Sequence, residues 1–309
     1  MIIASRTVVP KASSRRRTRR LLSSDNSLPY LLLVPALIAL GCILVVPLIY
    51  NIWLSFHEYN LLRPARNTFV GFGNYLKVIQ DPAHVSSLFL TVRFTAITVL
   101  AEVILGTSLA LLLNLPFPGN HFVRTLVLVP MLISEVVAGL SWRLIYHTEF
   151  GLLNYLIGLF GLSPQVWLGP DLALPSVMIV EIWQHTPFVT LIMLAGLQTV
   201  PRELLESSMM DGASRWQRFR YVVLPLITPI LLLALVFRTM FTLRVFAPVW
   251  VLTGGGPADS TLVIGVDIYR AAFRYYNLGI AATLSIILLA VTLAITLVYM
   301  RLLRREALT

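Results

Sequence analysis

Five ionisable side chains stand inside long apolar runs: Glu102, Glu135, Glu181, Arg238 and Arg244. Arg93 lies near the end of the run that holds Glu102, where a long side chain can reach the interface. Each centrally placed charge costs at least about 2.5–3.5 kcal/mol in hydrocarbon. Such residues are expected to face a bundle interior or a cavity, either paired between helices or lining a solute path. Glu135 with Arg238 is one candidate pair. The five histidines, His57, His84, His121, His147 and His185, fall mostly in loops or at run ends, and none sits in an HExxH pattern. His185 is expected to be a structural hydrogen-bonding group. There is no GxSxG and no pair of aspartates within a run, so an intramembrane hydrolase has little to stand on. Gly254-Gly255-Gly256 invites reading as a phosphate loop, but no Gly-Lys-Ser/Thr follows it. With no Walker-type motif, the chain is not expected to hydrolyse ATP, to bind a cofactor or metal, or to be an enzyme.

The elements that must position these residues are apolar helices. The 309 residues are 57% hydrophobic and 12% charged, and the mean hydropathy is +0.82. Soluble domains carry roughly 25% charged residues. A membrane helix needs about 20 mostly apolar residues. Six runs qualify, at approximately 28–54, 87–113, 122–146, 173–199, 222–250 and 278–302. None alternates with period two, so strands are not expected in them. Breakers separate the runs, among them Pro116-Phe117-Pro118-Gly119-Asn120 and Gly254-Gly255-Gly256-Pro257. The predicted class is an all-α integral membrane protein of six transmembrane helices over 28–302, with short tails at 1–27 and 303–309.

The net charge of +10 is concentrated before the first run, in Arg6, Lys11, Arg15, Arg16, Arg17, Arg19 and Arg20. No nucleic-acid module accompanies them, so a basic anchor facing anionic lipid is the reading, without nucleic acid as a partner. The first run is too long for a signal peptide and is expected to be retained. With the N-terminus inside, fifteen basic residues fall on the inner side and six on the outer. This bias places both termini and the 200–221 loop in the cytosol. The single cysteine, Cys42, is read as a small buried hydrophobe.

The 200–221 loop carries the most information. Pro201 suits a helix start, and Glu203 and Glu206 favour its positive end. Leu205, Ser208, Met209 and Gly212 recur on one face. Asp211-Gly212 should break that helix. Ser214 with Gln217 forms a capping box for a second one, with Trp216 and Phe219 on its apolar face. The product is a bent helix pair that exposes Met209 and Met210 as adaptable contacts.

Glu206-Ser207-Ser208-Met209-Met210-Asp211-Gly212-Ala213, followed by Leu224-Pro225 and Pro229, resembles the EAA loop of binding-protein-dependent ABC importer permeases. Ser207 and Ser208 replace the usual alanines. Val251-Leu-Thr-Gly-Gly-Gly-Pro257, Ile268-Tyr-Arg-x-x-Phe273 and Asn277-Leu-Gly-Ile-Ala281 are similar to the maltose and glycerol-3-phosphate type, as are Phe69–Tyr75 and the Leu105-Gly106 and Leu109-Ala110 pairs. The resemblance implies a type I importer bundle with a cytosolic coupling helix. Residues 206–213, Trp216 and Phe219 would dock an ATPase subunit. Gly254, Gly255, Gly256 and Pro257 would contact an extracytoplasmic solute-binding protein. It also implies a second, homologous permease and two ATPase subunits, which would use ATP and magnesium.

Sugar rings present apolar C–H faces, which aromatic side chains can stack on. Trp183, Phe241, Phe246 and Trp250 are candidates for this, with Gln184 and Thr242 supplying hydrogen bonds. The expected substrate path is Trp183, Gln184, Glu135, Arg238, Phe241, Thr242 and Arg244. A competing reading, an ion-coupled secondary transporter, would use the buried carboxylates and leave the EAA spacing unexplained.

Overall fold

The computed structural model describes residues 28–63 and 67–306, with side chains over 33–63 and 67–301. The expected basic tail 1–27 lies outside the described residues. The chain divides into two compact units with the boundary after Asn51. The first holds α1 (Leu28–Leu40), a π-helical turn at Gly41–Val45 and the start of α2 (Val46–Ser55), whose last four residues belong to the second. No part of the apolar window in Leu33–Ser55 is buried within the chain. Cys42 is accordingly exposed, not buried as its type suggested. In a helix apolar all round, a thiol needs no protein core to escape water.

The second unit holds the remaining helices. Two-residue strands β1 (His57–Glu58) and β2 (Thr68–Phe69) pair antiparallel within a connection, outside the six apolar runs. After α3 (Gly73–Gln80), α4 (Pro82–Leu113) starts at a full cap: Asp81 accepts from the Ala83 N–H at 2.9 Å, and Pro82 takes a position needing no donor. The fourth to seventh helices are α4, α5 (Asn120–Leu132), α6 (Glu135–Ile145) and α7 (Leu152–Leu159). They are followed by α8 (Ala173–Gln198), α9 (Arg202–Met210), α10 (Arg215–Arg218) and α11 (Leu224–Thr242). The chain ends with α12 (Ala247–Leu252), α13 (Ile264–Tyr269) and α14 (Leu278–Glu306).

Two of the expected straight spans are broken. Run 122–146 is α5 and α6, bent by 98°. Pro130 removes a helical donor and Ile133 is extended, so the helix stops and restarts after Ser134. Run 222–250 ends as a long helix at Thr242, and Pro248 opens the short α12 beyond the turn. Among the described residues five helices are long and apolar enough to cross a membrane, or six if α5 and α6 form one span.

The α4–α8 pair is the most extensive contact in the bundle. Lipid supplies no hydrophobic drive between helices, so close approach through small residues takes its place. A Cβ on Gly106 of α4 would lie 2.7 Å from Val189 Cβ on α8, and across the α8–α11 contact one on Gly196 would lie 2.9 Å from Ile230 Cδ1. Ala110, one turn beyond Gly106 on α4, is fully buried against α8. Gly106→Val is expected to cost about 1–3 kcal/mol by overpacking. Thermal unfolding of the detergent-solubilised chain reads that loss, and an unchanged midpoint would show the seam to be loose.

Candidate functional site

Arg238, on α11, is 2% exposed and sits where α4, α8 and α11 converge. Its Nε donates to Glu102 Oε2 at 2.7 Å and its Nη2 to Glu102 Oε1 at 2.9 Å, a two-pronged grip on a carboxylate that is fully buried. The same Nη2 reaches Glu181 Oε1 and Thr242 Oγ1, each at 3.0 Å. Glu181 in turn lies 3.2 Å from His185 Nδ1. The candidate pair of Arg238 with Glu135 is therefore corrected. The guanidinium is bonded instead, through Nε and Nη2, to carboxylates on two other helices. Ligand atoms of Glu102, Glu181 and His185 lie within 4.8 Å of one another, a spacing that could hold a metal ion. The guanidinium, bonded to both carboxylates, occupies that position instead.

This network forms one wall of a cavity of about 460 Å³, lined by Met131, Glu135, Glu181, His185, Phe188, Arg238, Phe241, Arg244 and Val245. On α8, Glu181, His185 and Phe188 recur at i, i+4 and i+7, one helical face. On α11 and the turn after it, Arg238, Phe241 and Val245 recur at i, i+3 and i+7. Glu135 is exposed and in no ion pair among the described residues. Arg244 donates to the Met240 carbonyl at 3.1 Å, with its guanidinium carbon 5.6 Å from the Phe241 ring centroid. The cavity thus combines aromatic faces, two charges of opposite sign and a polar wall whose two carboxylates are bonded to one guanidinium.

Of the seven path residues read from the sequence, the structure brings Glu135, Arg238, Phe241 and Arg244 to the cavity. Thr242 is buried behind it as a partner of Arg238. Trp183 stacks edge-on against Trp142 at 5.5 Å. Gln184 donates to the Ile133 carbonyl at 2.8 Å, so it satisfies the group freed by the α5–α6 break. His185, Phe188 and Met131 line the cavity without having been expected there. The i, i+4, i+7 repeat from Glu181 is the signal that would have found two of them.

The 200–221 loop folds as its pattern suggests. Gly212 has φ +76°, its N–H bonds Met209 O, and Ala213 N–H bonds Ser208 O, both at 3.0 Å. This is a Schellman end, which glycine alone makes without strain. Pro201 precedes the first helical residue. Both halves of the Ser214–Gln217 capping box are present. Leu205, Ser208, Ala213 and Phe219 are half-buried, whereas Glu206, Ser207, Met209, Asp211 and Gly212 are exposed. Met210 is 89% and Trp216 69% exposed, large apolar groups left without cover.

At the other end of α11, the 251–263 loop is more buried than its composition suggests. Gly255 is buried, and Gly254, Gly256 and Pro257 are half-buried. The exposed residues are Ala258 and Asp259.

Residues 102–307 match the family described as the binding-protein-dependent transport system inner membrane component. The trehalose/maltose transport system permease protein MalF of Thermococcus litoralis is 38% identical over 92% of this chain and 96% of its own. The sulfoquinovosyl glycerol transport system permease protein SmoG of Agrobacterium fabrum is 35% identical over 94% of this chain and 95% of its own. A solved bacterial ABC transporter that imports the acidic polysaccharide alginate superposes with TM-score 0.81 at 25% identity, over 91% of this chain and 96% of that one. Another structure shows an alginate transporter in complex with an alginate pentasaccharide-bound periplasmic protein, at TM-score 0.80 and 25% identity over 91% and 95%. An ABC importer fold, a matched family model across two thirds of the chain and relatives alike over almost their full length leave one conclusion: this chain belongs to the inner membrane components of binding-protein-dependent transport systems.

Proposed function

We propose that this chain is the membrane-spanning permease of an ATP-driven carbohydrate importer and forms half of the translocation pore. The observation that carries this is the cavity between α5, α6, α8 and α11, where Phe188 and Phe241 lie beside Glu135, His185 and Arg244. Aromatic faces with flanking hydrogen-bonding groups suit a ring that is apolar on its faces and hydroxylated on its rim. The sugar permeases among its relatives support the same class.

In this reading the termini and the 200–221 loop face the cytosol. Residues 206–213 with Trp216 and Phe219 form the coupling helices seated on an ATPase subunit. A homologous permease supplies the other half of the pore, and the pair of ATPases binds ATP and magnesium; this chain binds neither. The 251–277 segment meets an extracytoplasmic solute-binding protein. Closure of the ATPases moves the coupling helices together and opens the cavity outward, and hydrolysis resets it. An ion-coupled carrier is not retained: Glu102 and Glu181 are both held by Arg238, and the chain's family is that of ABC importers.

Uptake by the reconstituted transporter tests this, with trehalose, maltose, sulfoquinovosyl glycerol and alginate oligosaccharide as the panel. At least one is expected to be taken up. Phe241→Ala and Glu135→Gln should each raise the half-saturating concentration about 3- to 10-fold, the range of a lost stacking or polar contact. A transporter that moves no carbohydrate, or variants indistinguishable from the parent, would overturn the assignment.

A further inference from the structure

The end of the molecule opposite the 200–221 loop holds a small, heavily constrained feature. Ala258 and Asp259 adopt φ of +45° and +60°. Residues with a Cβ seldom populate this region and stay there only when surrounding groups hold them. Both are exposed, so packing does not hold them. Hydrogen bonds do. Arg270 Nη1 lies 2.6 Å from Asp259 Oδ1, and Arg270 Nη2 donates to the Gly254 carbonyl at 2.8 Å. One guanidinium therefore spans both sides of the loop. It rests directly on Gly255, where an added Cβ would come within 2.8 Å of Nη2. The fully buried Thr261 closes the base, donating to the Gly256 carbonyl at 2.8 Å and meeting Thr253 Oγ1 at 2.7 Å.

The clamp is itself anchored. Arg270 follows α13, and one turn earlier Asp267 Oδ2 receives Ser87 Oγ and lies against His84 Nδ1, each at 2.8 Å. The Ile264 N–H bonds Thr91 Oγ1 at 2.8 Å. Three α4 residues, His84, Ser87 and Thr91, and a buried carboxylate thus fix the helix from which Arg270 reaches out. With Asp259 neutralised by that reach, the free tip at 257–258 is small and uncharged. Such a tip recognises by shape, and its affinity depends on being set beforehand.

We infer that Arg270 is a positioning residue: with Asp259 it presets the 257–260 tip as the finger that enters an extracytoplasmic solute-binding protein. This rests on the reading of 251–277 as the segment that meets that protein. Losing the clamp leaves the tip's residues present and frees their conformations, so encounter weakens while turnover of the assembled complex does not.

The test uses the complete transporter in proteoliposomes with the system's own binding protein, purified and loaded with the sugar that the uptake panel identifies. ATPase rate is measured against binding-protein concentration. Arg270→Gln and Asp259→Asn should each raise the half-saturating concentration about tenfold, with the maximal rate within about twofold. The double variant should add little, because both changes undo one contact. In the full-length detergent-solubilised chain, amide exchange over 254–261 should quicken in Arg270→Gln. An unshifted half-saturation, or a fall in maximal rate alone, overturns the inference. Ala258→Trp separates this from failure of the underlying reading. If it raises half-saturation while the clamp variants do not, the segment meets the binding protein and only the clamp falls. If neither does, both fall.

Discussion

Arg238→Met is expected to destabilise the chain by about 3–5 kcal/mol, because it leaves two carboxylates buried without their cation. Glu102 is fully buried and Glu181 nearly so, and each bonds the guanidinium at 2.7–3.0 Å. Glu102 is fully buried and does not line the cavity, so water does not reach it to replace its bonds. The unfolding midpoint of the solubilised protein should fall by about 10 °C or more. Uptake should fall with it, since α4, α8 and α11 lose the knot that sets one cavity wall. Removing a carboxylate together with the cation tests the cause. Glu102→Gln with Arg238→Met should recover much of the midpoint, because a matched replacement of a buried pair is often close to neutral. A midpoint unchanged in the single variant would mean that the three groups contribute nothing net.

The pairing within that network is not legible in the sequence. Six apolar runs were visible because each is a continuous local signal. The bent helix pair at 202–218 was visible for the same reason: its proline, glycine and capping box act on neighbours a few residues away. Arg238 and Glu102 are 136 positions apart, and Arg238 and Glu181 are 57 apart. Charge inside a run told that these residues must face inward, but which of three glutamates faces Arg238 depends on how helices are rotated, and hydropathy carries no such information. The break after Leu132 was hidden because apolar composition continues across it, and only Pro130 and Ser134 hint at the turn. Gln184 drew attention as a polar group inside a span. Its partner, a carbonyl freed by that unseen break, could not be named before the break was. His185, expected as a structural hydrogen-bonding group, does meet Glu181, and its spacing from Glu181 and Phe188 also puts it on the cavity face.

Gly212→Arg is expected to abolish uptake, to below about a tenth of the parent rate, while leaving the amount of inserted protein near normal. The two halves of this expectation have separate causes. A Cβ on Gly212 meets nothing within 4 Å, so the new side chain finds open space and disturbs no packing. The intramolecular cost is the left-handed backbone alone, about 1–2 kcal/mol, too little to unfold a bundle. In the proposed complex that open space is filled by the ATPase. The bend at Gly212 lies between the uncovered Met210 and Trp216, so a long cation there enters the centre of the docking face. Gly212→Asn separates conformation from contact, because asparagine accepts the left-handed region better than other non-glycine residues and is short and uncharged. It should retain most uptake. Co-purification with the ATPase subunit should fail for the arginine variant and succeed for the asparagine one. Normal uptake in Gly212→Arg would remove 206–219 as the docking surface. Equal loss in both variants would put the requirement in the backbone of the bend instead of in the room its glycine leaves.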